Sequence, residues 1–369
     1  MLGVVGFAGQ IPTFLIASFA GVVVDRRNRY HILIATQVLE MLQALTLTAM
    51  FYTNVLQVWH IIFLSVILGV INAFGVPARQ SFMIELVEKK EDLGNAIALN
   101  SSMVNSARLL GPSIAGVLIA VAGEGTCFLI NGLSYIVVIV SLLRMKVNPK
   151  KRIRQGTKVF FELKEGFKYT FGFKPIKYII LLLALVSLMG MPYSVLMPVF
   201  AKEVLKGGSG VFGFLMGASG LGALSGALYL ASRKNAAGLE KLIPIAASVF
   251  GTGLILLSLT KVFWMSVFMM IISGAGMMLG MASSNTIIQT VVDDNKRGRV
   301  MSFYAMAFMG TAPFGSLIAG GLAKIIGTPL TLMIGGISCV FGAVLYLRKL
   351  PELKKIIRPV YEKLGILEN

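Results

Sequence analysis

The sequence predicts an all-α polytopic membrane protein, and three observations carry that prediction. The chain has 369 residues, of which 56% are hydrophobic and 14% charged, whereas charged residues make up about 25% of a soluble protein. The mean hydropathy is +0.82. The apolar residues form eleven runs, most of them near the length of about 20 residues that a helix needs to cross a bilayer. Lipid offers the backbone no hydrogen-bond partner, so each run is expected to be a helix.

The eleven predicted spans divide the chain into two transmembrane halves. The spans of the first half are 3–24, 31–52, 57–77, 96–121 and 126–143. Those of the second half are 176–200, 209–232, 242–260, 264–288, 299–323 and 328–347. We therefore predict an N-terminal half (1–145), a basic linker (146–175), a C-terminal half (176–348) and a tail (349–369).

The basic residues predict the orientation of these spans. Alternate connections and the tail hold 28 of the 34 Lys and Arg residues. The opposite connections hold only four, which are Lys202, Lys206, Lys261 and Lys324. This asymmetry predicts that the linker and the C-terminus are cytoplasmic. The net charge of +18 therefore lies in loops that face the membrane surface, and nucleic acid is not an expected partner.

An internal repeat relates the two halves. Shifting the chain by 204 residues aligns Gly111–Leu118 with Gly315–Leu322, and five of the eight positions are identical. Two membrane halves related by a repeat and joined by a linker are typical of secondary transporters.

A charged turn between the first two spans resembles a transporter signature. The stretch Gly21–Tyr30 reads GVVVDRRNRY. It resembles motif A of the major facilitator superfamily, although Asn28 and Tyr30 depart from that motif. The matching residues are Gly21, Asp25, Arg26 and Arg29. The resemblance implies twelve spans in two six-helix halves. Because motif A normally follows the second span, and the repeat gives the same count, we expect the family's first helix to be missing before Met1.

The resemblance also implies a role for the turn in gating. Asp25 would face the N-terminus of the helix that starts near Arg299, a favourable place for an anion. Arg26 and Arg29 can bind carboxylates in a bidentate manner, and Glu85 in the next cytoplasmic connection is a candidate partner. The alternative is a charge cluster that only sets topology.

The span 96–121 carries a second signature. Its residues on one helical face are Ser101, Asn105, Arg108 and Pro112. An arginine inside a membrane helix is costly and by default a functional candidate. Arg108 could bind an anionic substrate or coupling carboxylate, serve as a structural cation between the halves, or extend to the membrane surface.

Residues at the end of this span, and strings elsewhere in the first half, resemble a narrower branch of the superfamily. The residues Gly111, Pro112 and Gly116 resemble motif C of antiporter-type facilitators. Three further strings resemble the efflux-type branch that includes the enterobactin exporter and macrolide efflux proteins. They are PARQSF (Pro77–Phe82), NAIALNSS (Asn95–Ser102) and INGLSY (Ile130–Tyr135).

Glu40 is a candidate for proton coupling, since it lies midway along the second span. A carboxyl buried there is expected to stay protonated, because desolvation disfavours its charged form. The alternative is a structural carboxyl satisfied by Gln10, Gln37 and Gln43. Drug/proton antiporters often carry an arginine where this chain has Ser65, so proton coupling is implied by the resemblance alone.

The second half is poor in charge and rich in methionine, whose adaptable side chains suit a lipophilic binding surface. There is no GK[ST] phosphate-binding loop and no cluster of catalytic or metal-ligating residues, so we expect no enzyme activity, cofactor or metal. The sequence indicates a monomeric secondary transporter in the inner or plasma membrane that exports amphipathic small molecules such as siderophores, macrolides or drugs, driven by protons. The alternatives are an importer of a small solute and a truncated, non-functional fragment.

Overall fold

The fold is helical wherever it is described. The computed structural model describes residues 2–86, 93–145, 167–233, 237–292, 300, 301 and 303–363, and within some helices it describes the backbone without the side chain. Every regular element in those ranges is a helix. The predicted all-α fold class is confirmed.

Four helices make up the described part of the first half of the chain. They are α1 (Leu2–Arg26), α2 (Arg29–Tyr52), α3 (Val58–Leu86) and α4 (Leu93–Arg144). Helix α4 bends at Gly123, whose φ of 81° and ψ of 169° are not helical. A positive φ favours glycine because it has no Cβ. The bend lies between the predicted spans 96–121 and 126–143, so the two arms of α4 correspond to two predicted membrane crossings.

Among the described residues, the second half contains six long helices. They are α5 (Lys174–Val204), α6 (Ser209–Ala231), α7 (Leu239–Leu259), α8 (Phe263–Val291), α9 (Phe303–Ile326) and α10 (Thr328–Lys363). Helix α5 contains two π-helical turns, Val186–Gly190 and Phe200–Val204, and α9 contains a third, Met306–Gly310.

Nine of the described helical segments are long and apolar enough to cross a membrane. The other two predicted spans, 3–24 and 96–121, fall on α1 and on the first arm of α4. The chain divides into two compact units, Met1–Arg154 (unit 1) and Gln155–Asn369 (unit 2). The finer division into halves, linker and tail stays a prediction.

Two helices extend beyond their predicted ends. Helix α3 continues past the predicted end at residue 77 to Leu86, and α10 continues past 347 to Lys363. A helix need not end where its apolar run ends, because its backbone is satisfied internally in water as well as in lipid. In α10 the extension also buries three apolar side chains against other helices of unit 2. They are Leu353, Ile357 and Tyr361.

Small residues bring the helices of unit 2 into close contact, as is common where membrane helices pack. A Cβ on Gly222 of α6 would lie 1.9 Å from the carbonyl oxygen of Ile271 on α8. A Cβ on Gly315 of α9 would lie 2.2 Å from the carbonyl oxygen of Leu188 on α5. In unit 1 the repeat-related Gly111 is exposed, with no described atom within 4 Å of such a Cβ.

Candidate functional site

The charged turn of unit 1 is a two-residue connection between α1 and α2. Helix α1 ends at Arg26 and α2 begins at Arg29. Asn28 caps α2, since its side chain accepts a hydrogen bond of 3.0 Å from the backbone N–H of Tyr30. Arg27 is exposed, whereas Arg29 is only 5% exposed. Of the two arginines that match motif A, Arg29 is thus buried in the protein.

This geometry accounts for the two departures from motif A. Asn28 has a φ of −70°, so its position does not require the glycine of the motif. The hydroxyl of Tyr30 donates a 3.0 Å hydrogen bond to the carbonyl of Leu142 at the end of α4. The Tyr30 ring also lies 5.9 Å from that of Phe82 on α3. Tyr30 therefore joins the turn to two neighbouring helices of unit 1.

Most of the other predicted site residues lie outside the described residues. In the turn, these are the side chains of Gly21, Asp25 and Arg26, and near the end of α3 it is that of Glu85, which was predicted to lie in a connection but belongs to the helix. In the first arm of α4, they are the side chains of Ser101, Asn105, Arg108, Pro112 and Gly116. The predicted gate and the role of Arg108 therefore stay predictions.

Glu40 is the centre of a polar cluster inside unit 1. It lies on α2 and is 8% exposed. The Nε2 of Gln37, one turn earlier, donates a 2.8 Å hydrogen bond to its Oε2. Arg79 of α3 and Tyr135 of the second arm of α4 interact electrostatically with the carboxyl group. Asn131 contacts the Tyr135 hydroxyl. A guanidinium and a phenol on the two neighbouring helices thus lie within electrostatic range of the carboxyl group, and Arg79 itself is exposed.

Helix α3 approaches Glu40 closely because it has a glycine at that level. A Cβ on Gly75 would lie 3.7 Å from the Glu40 Oε1 and 3.4 Å from the Thr36 Oγ1. Arg79 follows Gly75 by one helical turn, so its long side chain can reach back toward the carboxyl group. A bulkier residue than glycine would leave less room for the carboxyl group to move.

Three residues of this cluster lie in strings that the sequence singled out only as a family resemblance. Arg79 belongs to PARQSF, and Asn131 and Tyr135 belong to INGLSY. The position of Arg79 was missed because Ala78 and the residues after it were assigned to a loop. Asn131 and Tyr135 fell within the predicted span 126–143, but the sequence did not show that this span faces Glu40. Continuing the helix past residue 77 brings Arg79 to the level of Glu40. Of the predicted glutamine partners, Gln37 binds Glu40, and Gln10 is exposed.

In unit 2, polar contacts join the π-helical turns of α5 and α9. The hydroxyl of Ser187 donates to the carbonyl of Phe308, and the hydroxyl of Thr311 is 3.4 Å from the carbonyl of Ala184. π-helical turns in helices are frequent at functional sites. The sequence offered only a partial signal for them, the prolines Pro192 and Pro198 of α5.

The methionines of unit 2 do not form a single surface. Met197 and Met270 are fully buried in its core, whereas Met265 and Met309 are about half exposed. A cavity between α5, α7, α8 and α9 is lined partly by Met191, Met277 and Met281. Its volume of about 30 Å³ is enough for about two water molecules. This cavity is too small for the cargo expected from the sequence.

The sequence comparison decides the family. A profile of the transmembrane secretion effector family matches residues 1–361. The chain belongs to the major facilitator superfamily. It is therefore a multi-pass membrane protein of a secondary-transporter family, as the resemblance of the turn implied.

Curated relatives in this family align with nearly the whole chain. The staphyloferrin A transporter of Staphylococcus aureus is 26% identical over 340 residues, which cover 92% of this chain and 85% of that protein. Macrolide efflux protein A of Streptococcus pyogenes is 22% identical over 343 residues, covering 91% and 84%.

Solved structures share the fold of this facilitator at low sequence identity. A D-xylose-proton symporter matches with a TM-score of 0.75 and 15% identity, covering 95% of this chain and 88% of that one. A bacterial homologue of the human lysosomal transporter Spinster, in an inward-facing conformation, matches with a TM-score of 0.72 and 14% identity, covering 96% and 90%.

Proposed function

We propose that this facilitator exports amphipathic small molecules, such as siderophores, macrolides or related drugs, in exchange for protons. The observation that carries the proposal is the buried Glu40 carboxyl group with Arg79 and Tyr135 around it. Ionisable groups inside membrane helices commonly form proton relays. The names of the relatives, a staphyloferrin A transporter and a macrolide efflux protein, support the choice of cargo.

The cluster offers a physical means of coupling. When Glu40 is ionised, its carboxylate attracts the exposed guanidinium of Arg79 on α3. When Glu40 takes up a proton, that attraction is lost and only the neutral hydrogen bonds remain. Protonation thus changes the strength of the contact between two helices of unit 1. A ligand or proton can shift a conformational equilibrium only through such a difference between states.

The charged turn supplies the proposed gate on the cytoplasmic side. Asp25 with Arg26 and Arg29 would hold the two halves together in one state and release them in the other, and Glu85 would compete for the arginines. Asn105 and Arg108 would provide polarity at the cavity or at the contact between the halves. Alternating access would then follow from rocking of the two halves about a central site.

The direct test of the cargo and the gate uses a drug-sensitive bacterial host. Expression of the wild-type chain is expected to lower cellular accumulation of at least one macrolide or siderophore in a panel. Asp25→Asn should restore accumulation while its amount in the membrane, measured by immunoblotting, stays unchanged. Unchanged accumulation across the panel would contradict export, and wild-type efflux by the Asp25 variant would remove the gating role.

The second candidate is an importer, because the described residues do not fix the direction of transport. Everted membrane vesicles separate the two directions. An exporter in such vesicles accumulates cargo in the lumen, whereas an importer depletes it.

A further inference from the structure

Each of the two tryptophans of the chain lies at the start of a long apolar helix. Trp59 is the second residue of α3 in unit 1, and Trp264 is the second residue of α8 in unit 2. They are 58% and 75% exposed. The shift of 204 residues that relates the two halves aligns Trp59–His60 with Phe263–Trp264. The same kind of ring pair therefore recurs at the same point of the repeat.

Neighbouring side chains hold both exposed rings in place. The Trp59 ring stacks on that of His60, with the ring centroids 3.6 Å apart. Its Nε1 donates a 2.7 Å hydrogen bond to the Oε1 of Gln57. The Trp264 ring packs edge to face on that of Phe263, with the ring centroids 5.1 Å apart. Each indole thus has a defined position on the surface of its unit.

The exposed surface that follows Trp59 along α3 is apolar over the thickness of a bilayer. Between Trp59 and Arg79, the exposed residues are Phe63 and Val66. The next exposed residue, Arg79, lies 20 positions after Trp59, which corresponds to a rise of about 30 Å along the helix. The hydrocarbon core of a bilayer is also about 30 Å thick. The two ends of this surface therefore match the two boundaries of the core.

Helix α8 has the same pattern. After Trp264, the exposed residues are Met265 and Phe268, and the next exposed residue, Thr286, lies 22 positions after Trp264. The rise between them is about 33 Å. In both units, an exposed tryptophan precedes an apolar surface as long as the hydrocarbon core is thick, and an exposed polar residue follows it. A bilayer requires this length on both helices, whereas a bound protein or small molecule does not.

We propose that the indole rings of Trp59 and Trp264 bind the headgroup layer of the membrane and mark where the lipid-covered surface of each unit ends. Tryptophan suits this layer, because its ring is large and apolar while its N–H is polar. The connections that precede α3 and α8 belong to the set that is poor in basic residues, so the charge distribution assigns both rings to the outer leaflet. This surface is independent of the proposed export function.

The test measures the depth of each indole by fluorescence quenching in bilayers of brominated phosphatidylcholine. Full-length Trp59→Phe and Trp264→Phe each retain a single tryptophan, and the wild-type protein reports on both without a substitution. The melting temperature of each variant is first compared with that of the wild type. Lipids with bromine near the carboxyl end of the acyl chains should quench both tryptophans more strongly than lipids with bromine near the methyl end.

Matched controls move the indole one helical turn along the same apolar surface. In a chain that carries both Trp59→Phe and Trp264→Phe, either Phe63→Trp or Phe268→Trp places a single indole four positions further along α3 or α8, about 6 Å deeper. Quenching of these controls should shift toward the deeper bromine atoms. The same depth for a tryptophan and its control, or no quenching of Trp59 and Trp264 by either lipid, would overturn the proposal. The first result would place the ring in the hydrocarbon core, and the second in water or against protein.

Discussion

Glu40 illustrates how much one buried residue depends on its neighbours. A lone carboxylate inside a membrane helix would be strongly disfavoured. Here Gln37 donates to it and Arg79 lies within electrostatic range. Gain or loss of a proton at Glu40 would therefore change how strongly the carboxyl group attracts Arg79.

At the scale of the residue, the account predicts that Glu40→Gln uncouples transport from protons. The glutamine has the same shape and can still accept from Gln37, so the melting temperature should remain close to that of the wild type. Transport driven by a pH gradient should fall at least about tenfold, whereas exchange of labelled for unlabelled cargo at equal pH should continue.

The matched control is Glu124→Gln, which removes an exposed acid from α4 and should leave both activities unchanged. Gradient-driven transport by the Glu40 variant at the wild-type rate would exclude Glu40 as the coupling residue.

The sequence predicted part of the site at this scale. Glu40 and Arg29 were both identified, because an acid within an apolar run and a basic motif are visible without coordinates. Burial of Arg29 and the presence of Arg79 and Tyr135 within electrostatic range of Glu40 were not predicted. These features depend on which helix faces which, and one sequence contains no information about pairs of residues that are distant along the chain.

At the scale of the element, the helices were predictable because lipid leaves the backbone few alternatives. Where their residues are described, the eleven predicted spans fall on helical segments. Their ends were less predictable, since α3 and α10 extend beyond their apolar runs. The π-helical turns in α5 and α9 were not predicted, because they reflect local packing between the two helices, including the contact of Ser187 with Phe308.

Close packing of α6 on α8 gives a prediction for the stability of unit 2. Gly222→Ala would place a methyl group against the Ile271 carbonyl, and overpacking of this kind costs about 1–3 kcal/mol. The melting temperature of the purified protein should fall accordingly. Gly210→Ala in the same helix meets no described atom within 4 Å and should be neutral or stabilising. Equal melting temperatures for the two variants would show that the helices adjust without cost.

At the scale of the whole molecule, the charge distribution predicts a cytoplasmic C-terminus. A green fluorescent protein fused after Asn369 should fluoresce in a bacterial host, because that protein matures only in the cytoplasm. Alkaline phosphatase fused at the same position should be inactive. The reverse pattern would invert the predicted topology.

The central claim is export in exchange for protons, and gradient-driven uptake into proteoliposomes tests it most directly. Purified protein is reconstituted, a pH gradient is imposed, and uptake of a labelled macrolide or siderophore is followed. The account predicts accumulation in vesicles with an acidic lumen, lost on adding a proton ionophore, because protons leaving the lumen drive cargo inward. Accumulation only in vesicles with an alkaline lumen would indicate symport, and accumulation that ignores the gradient would contradict proton coupling.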